Sequence, residues 1–119
     1  MSKKINMHDI KSCSSTFVLA INDTLNVING KWKLPIIGSL LYGKKRFTEL
    51  EKSIPKITPR MLSKELKELE INGVVTRTVY DSIPVIVEYD LTKSGKSLNI
   101  FLEPMVEWGL MHRKTIMGK

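Results

Sequence analysis

The sequence predicts an α+β domain, mainly α-helical, on three observations. Apolar side chains recur at helical spacing in four segments up to Asn72, two runs after Gly73 alternate with a period of two, and a last helical pattern closes the chain. Glycine, Asn-Gly or proline stands at nearly every change of period. The basic charge is confined to the middle of this series.

The first helix follows Cys13-Ser14-Ser15-Thr16, whose hydroxyls suit an N-cap, carries Phe17, Ile21, Leu25 and Ile28, and ends at Asn29-Gly30. The second covers Trp32 to Tyr42, apolar at Ile36, Ile37, Leu40 and Leu41. Pro35 is tolerated there only in the first turn, where N–H groups have no helical acceptor. A short third helix runs from Arg46 to Ser53, and Ile54-Pro55-Lys56-Ile57 makes a turn. Thr58 then caps a fourth helix, with Pro59 at its first position, that stops at Asn72-Gly73. Val74–Tyr80 and Val85–Leu91 are β-branched and aromatic, and Asp81-Ser82-Ile83-Pro84 forms a hairpin tip between them. If Tyr80 faces Val85, Arg77 faces Glu88 as a cross-strand ion pair. Thr92 caps the last helix, and Pro104 predicts a break near Phe101. This order is the layout of a winged helix-turn-helix with a two-stranded antiparallel wing.

At 119 residues the chain is one domain, with its core over about 13–110. No apolar run reaches the length of a membrane span, and no hydrophobic signal core follows Met1-Ser2-Lys3-Lys4, so a cytoplasmic protein is expected. A single cysteine fits a reducing compartment. Residues 1–30 carry three basic against two acidic groups, 31–67 ten against three, and 68–119 six against seven. The whole excess of +7 therefore sits in 31–67. A basic stretch between neutral flanks is either a surface for phosphates or a solvated helix face.

Helical projection of the fourth helix favours the former. Leu62, Leu66 and Leu69 make a narrow stripe for packing, while Arg60, Lys64 and Lys67 lie opposite with Ser63 at their edge. Such a helix suits the major groove, where residues near its N-terminus reach base edges. Arginine grips guanine with two hydrogen bonds, lysine serves phosphate as a point charge, and the first-turn N–H groups near Thr58 and Arg60 attract an anion. The candidate DNA contacts are Lys45, Arg46, Thr58, Pro59, Arg60, Met61, Ser63, Lys64 and Lys67, with Arg77, Ser82, Ile83, Pro84 and Ile86 from the wing. The reading unit spans about 31–91.

Through Gly30-Lys31-Trp32-Lys33-Leu34-Pro35-Ile36, Gly43–Leu50, Ile54–Leu69, Val87-Glu88-Tyr89, Leu91–Leu98 and Trp108-Gly109, the chain resembles the HxlR-type winged-helix regulators, relatives of the MarR-type repressors. The resemblance implies a homodimer built by the terminal helices, about 16–29 and 93–112, on a two-fold related operator. It also implies a repressor or activator role responsive to oxidants, electrophiles or another small molecule. The apolar surface of Phe17, Ile21, Leu25, Leu98, Phe101, Leu102 and Val106 either meets a partner or packs within one subunit. The wing departs from the family: Ile86 stands where a basic residue is usual, and Asp81 and Val85 stand where proline is common. Recognition is therefore expected to rest on Arg60, Ser63 and Lys64, with the hairpin chiefly positioning.

Cys13 precedes a helix N-terminus and lies two residues from Lys11; both features favour the thiolate. The resemblance also places a cysteine here that senses oxidants in some members, so Cys13 is the redox candidate, the alternative being an inert thiol. His8 and His112 lack ligand partners at metal spacing, no cofactor motif is present, and no nucleophile–base pair suggests an enzyme. Two other functions stay open: a nonspecific architectural nucleic-acid-binding protein and a winged-helix module for protein contacts.

Overall fold

The computed structural model describes residues 14–118. Among these residues, six helices and a three-stranded sheet follow in the order α1 (Ser14–Ile28), α2 (Lys33–Leu40), β1 (Lys45–Arg46), α3 (Phe47–Ser53), α4 (Pro59–Ile71), β2 (Val75–Tyr80), β3 (Ile86–Leu91), α5 (Lys93–Ser97) and α6 (Asn99–Met117). This is a winged helix-turn-helix, with α3 and α4 as the helix pair and β2–β3 as the wing. The short β1 joins the outer side of β3, giving the antiparallel order β1-β3-β2.

The punctuation of the sequence acts where its chemistry requires. Pro35 is the third residue of α2, and the first helical bond, Ile36 N–H to the Trp32 carbonyl, comes directly after it. The Thr58 hydroxyl accepts the Met61 N–H at 3.1 Å, with Pro59 opening α4. Ile36, Ile37 and Leu40 of α2, Leu50 of α3 and Leu62, Leu66 and Leu69 of α4 meet in the core, which Val74, Val75 and Leu91 extend under the sheet.

Gly95 docks α5 against the start of the wing. A Cβ there would run into the Val74 carbonyl, so no other residue fits this approach without a shift. Thr92 ties the same joint: its N–H donates to the Val74 carbonyl at 2.9 Å, its hydroxyl donates to the Gly73 carbonyl at 2.7 Å and accepts the Gly95 N–H at 3.0 Å.

Three expectations change. The wing register places Tyr80 opposite Ile86, so Arg77 faces Tyr89, and Glu88 lies between Thr78 and Arg46. The loop takes five residues, Asp81 to Val85, because Ser82 folds back through its N–H to the Tyr80 carbonyl and its hydroxyl to the Pro84 carbonyl. The expected Arg77–Glu88 pair does not form. The break in the last helix falls at Leu98, where i→i−3 bonds (Leu98 N–H to Gly95, Phe101 N–H to Leu98) turn the chain, and α6 runs on through Pro104. Helix α1 is already formed at Ser14, ahead of its expected start.

The terminal helices touch this core through Val27 and Ile28 of α1 and Phe101 of α6, and leave much apolar surface outside it. No residue of α6 is buried, and Val18, Leu19, Ile21 and Leu25 of α1 are exposed. The radius of gyration is 17.0 Å, against about 13–14 Å for a compact domain of this length.

Candidate nucleic-acid interface

Helix α4 is fixed from beneath by Leu62, Leu66 and Leu69, each no more than 1% exposed. Arg60, Ser63, Lys64 and Lys67 are all exposed on its other side, as helical periodicity predicts, and Met61 is partly so. Pro59 has no N–H and that of Met61 is taken by the Thr58 hydroxyl, so neither serves the anion site of the first turn. A cleft between α4 and the sheet is lined by Ser63, Leu66, Lys67, Glu70, Arg77 and Tyr89. Arg77 thus extends the α4 face. The corrected register separates it from Glu88, which shares its strand pair but not its side of the sheet.

The inner flank of α4 holds a feature that charge counting conceals. Lys33, 4% exposed, donates to Glu65 Oε1 at 2.7 Å and to Glu68 Oε1 at 2.6 Å. Burial alone pulls the ammonium pKa down, but the two carboxylates more than offset it, and the pKa ends above 10.5. The hydrogen bond from Lys33 holds Glu68 below the ordinary carboxylate range, with help from Lys64. Lys33 therefore adds nothing to the outward basic surface. The two glutamates are drawn inward and take little from it.

The Lys44-Lys45-Arg46 cluster divides. Lys45 is half-buried and donates to the Ser39 carbonyl at 2.8 Å. Lys44 lies 3.4 Å from Glu88, and Arg46 is exposed opposite that same carboxylate. The Tyr80 hydroxyl, then Lys44 and Arg46, hold Glu88 below its ordinary range. Glu88 thus shadows the cluster. Lys52 and Lys56, both exposed beside the α3–α4 turn, were not singled out from the sequence, although they lie inside the basic segment. Lys56 occupies the left-handed region, with φ of 69°.

On the wing, Ile83 projects fully at the tip and Pro84 is exposed, whereas Ser82 and Ile86 are half-buried, the Ser82 hydroxyl being engaged within the loop. The structure brings Arg77 to α4 and leaves the tip apolar. Cys13 and His8 lie outside the described residues. His112 stacks on Trp108, with ring centroids 4.7 Å apart. Among the described residues no cluster of His, Cys, Asp or Glu is arranged to hold a metal, and no helix is long and apolar enough to cross a membrane.

A tri-helical core, an outward basic helix behind a tight turn and a β-hairpin beside it define a DNA-binding winged helix-turn-helix protein. The HxlR-like helix-turn-helix family model matches residues 27–117, and the chain belongs to that family. The HTH-type transcriptional regulator YtcD of Bacillus subtilis is 43% identical over 100 residues, 84% of this chain and 79% of its own. The redox regulator HypR in its reduced form superposes with a TM-score of 0.78 at 42% identity, covering 84% of this chain and 99% of that one. The reduced form of the transcriptional regulator YodB of B. subtilis gives 0.68 at 37% identity, covering 75% and 87%. These relatives are regulators, and the chain is a DNA-binding regulator rather than an enzyme.

Proposed function

We propose that this chain is a dimeric, sequence-specific transcriptional regulator that reads a two-fold related operator through α4 and releases it in response to a thiol oxidant or electrophile. The observation that carries the reading is the division of α4 into a buried leucine stripe and an exposed face of Arg60, Ser63, Lys64 and Lys67. Arg60 and Ser63, near the helix N-terminus, contact base edges. Lys64, Lys67 and Arg77 contact phosphates, and the wing positions the helix.

Dimerisation through α1 and α6 is supported by the exposed apolar residues of both helices and by the extended shape. A single subunit leaves Ile21, Leu25, Val106, Trp108 and Leu110 facing water. Redox response is supported by Cys13 in the sequence and by similarity to HypR, a redox regulator solved reduced and oxidised, and to YodB, solved after diamide treatment. With one cysteine per chain, oxidation joins two chains or captures a small thiol.

Selection from a random duplex library, followed by titration of the selected site against random DNA, tests the reading. A ratio of affinities well above ten is expected; a ratio near one would leave the architectural alternative, and no salt-dependent duplex binding would leave the protein-interaction alternative. Cys13→Ser should abolish release of the selected site by diamide. An unchanged release sinks the sensor role.

A further inference from the structure

We infer that Lys33 is a positioning residue for DNA binding: it draws Glu65 and Glu68 to the inner flank of α4 and so keeps Glu68 off Lys64, leaving Lys64 for a phosphate. The inference rests on the DNA-binding reading of α4 and adds to it a residue that touches no DNA.

Five observations combine. Glu68 follows Lys64 by four residues, so the two side chains are neighbours on the helix surface and an ion pair between them is the local alternative. Glu68 remains 43% exposed, so its carboxylate is free to swing outward once released. What holds it is one buried ammonium, whose contacts at 2.7 Å and 2.6 Å engage a carboxylate from each of two successive turns of α4. That ammonium is itself held in place, because α2 is pinned by Ile36 and Ile37, which have no exposed surface. The Lys33 hydrogen bond is the main cause of the lowered Glu68 pKa, and the field of Lys64 adds a smaller contribution in the same direction. One cation faces two anions at this clamp, so its removal turns the nearest carboxylate toward the next cation, Lys64.

The test is the salt dependence of binding to a random-sequence DNA duplex, which reads phosphate contacts and needs no known operator. Wild type, Lys33→Met, Lys33→Arg, Glu68→Gln and the Lys33→Met/Glu68→Gln double variant are compared between about 50 and 200 mM salt. Each is used below its own thermal midpoint, because Lys33→Met also loses stability. Lys33→Met should lower the slope of log K on log salt by about one and the affinity by up to about eightfold at 0.1 M salt, the counterion-release effect of one phosphate contact. Adding Glu68→Gln should restore both values, and Lys33→Arg should keep them. A purely structural role for Lys33 predicts no such rescue.

An unchanged slope in Lys33→Met, or a double variant that fails to recover it, overturns the inference. Glu68→Gln alone keeps the Lys33–Glu65 bridge and decides the matter even if Lys33→Met does not fold. Its slope should match wild type, since Glu68 is already withheld; a steeper slope by about one overturns the inference. Wild type without salt-dependent binding overturns the DNA-binding reading itself, a separate result.

Discussion

Replacing Gly95 by alanine adds one methyl group where α5 meets the wing, and the structure sets the size of its effect. The new Cβ collides with the Val74 carbonyl and comes within 3.1 Å of Leu91 Cδ2 and 3.2 Å of Val74 Cγ1. The backbone oxygen cannot rotate aside, because it accepts the Thr92 N–H at 2.9 Å. Helix α5 must therefore lift from β2, stretching that bond, the Thr92 hydroxyl bond to Gly73 and the Gly95 N–H bond to Thr92. Overpacking costs about 1–3 kcal/mol and each weakened hydrogen bond about 0.5–1.5 kcal/mol, offset by up to about 1 kcal/mol of helix propensity. The net loss is about 2–4 kcal/mol. For a chain of this length that lowers the thermal midpoint by about 8–16 °C, measured by circular dichroism at fixed protein concentration. Gly38→Ala is the control: its Cβ would meet only Leu102 Cδ2, at an ordinary 3.8 Å, so it should be neutral or stabilising by up to about 1 kcal/mol. Equal midpoints for Gly95→Ala and wild type would refute the close approach.

Two further outcomes follow from strain and charge. Lys56→Gly removes a side chain held at φ of 69° and should raise stability by about 0.5–1 kcal/mol in denaturant titration, while lowering the salt slope of duplex binding if Lys56 meets phosphate. The Lys33 clamp should show at both ends of the pH range in unfolding measurements. Glu68 sits below its ordinary 4.5, so its stabilisation is full above that pH and is lost as pH falls through the native value. Lys33 sits above 10.5, so its stabilisation is full below that pH and is lost as pH rises through the native value. Between those limits Lys33→Met should be less stable than wild type by about 2–4 kcal/mol, somewhat below a fully buried pair because both glutamates keep access to water. A gap that stays constant through the acid range would contradict the coupling.

What could be read from the sequence was local. Thr58-Pro59, Asn72-Gly73 and the leucine stripe of α4 fix a helix and its buried face through interactions within one or two turns, and the structure keeps them. What escaped is set by contacts between distant segments. β1 has only two residues, too few to show a period, and exists because Lys45 and Arg46 pair with Tyr89 and Glu88. The wing register depended on Ser82 folding into its own loop, which moved Arg77 from Glu88 to the α4 cleft. Lys33 counted as one more surface cation until two glutamates from α4 closed over it. The break at Leu98 reflects the docking of α5 through Gly95, not the more conspicuous Pro104.

The central claim, that the outward face of α4 divides into base-reading and phosphate-binding residues, is tested most directly by Arg60→Ala and Lys67→Ala. Each is titrated against a selected duplex, its single-base variants and random DNA. Arg60→Ala should lose about 1–3 kcal/mol on the selected duplex and relax preference at one base pair, whereas Lys67→Ala should weaken all duplexes alike and reduce the salt slope by about one. Equal losses on selected and random DNA for both substitutions would contradict it.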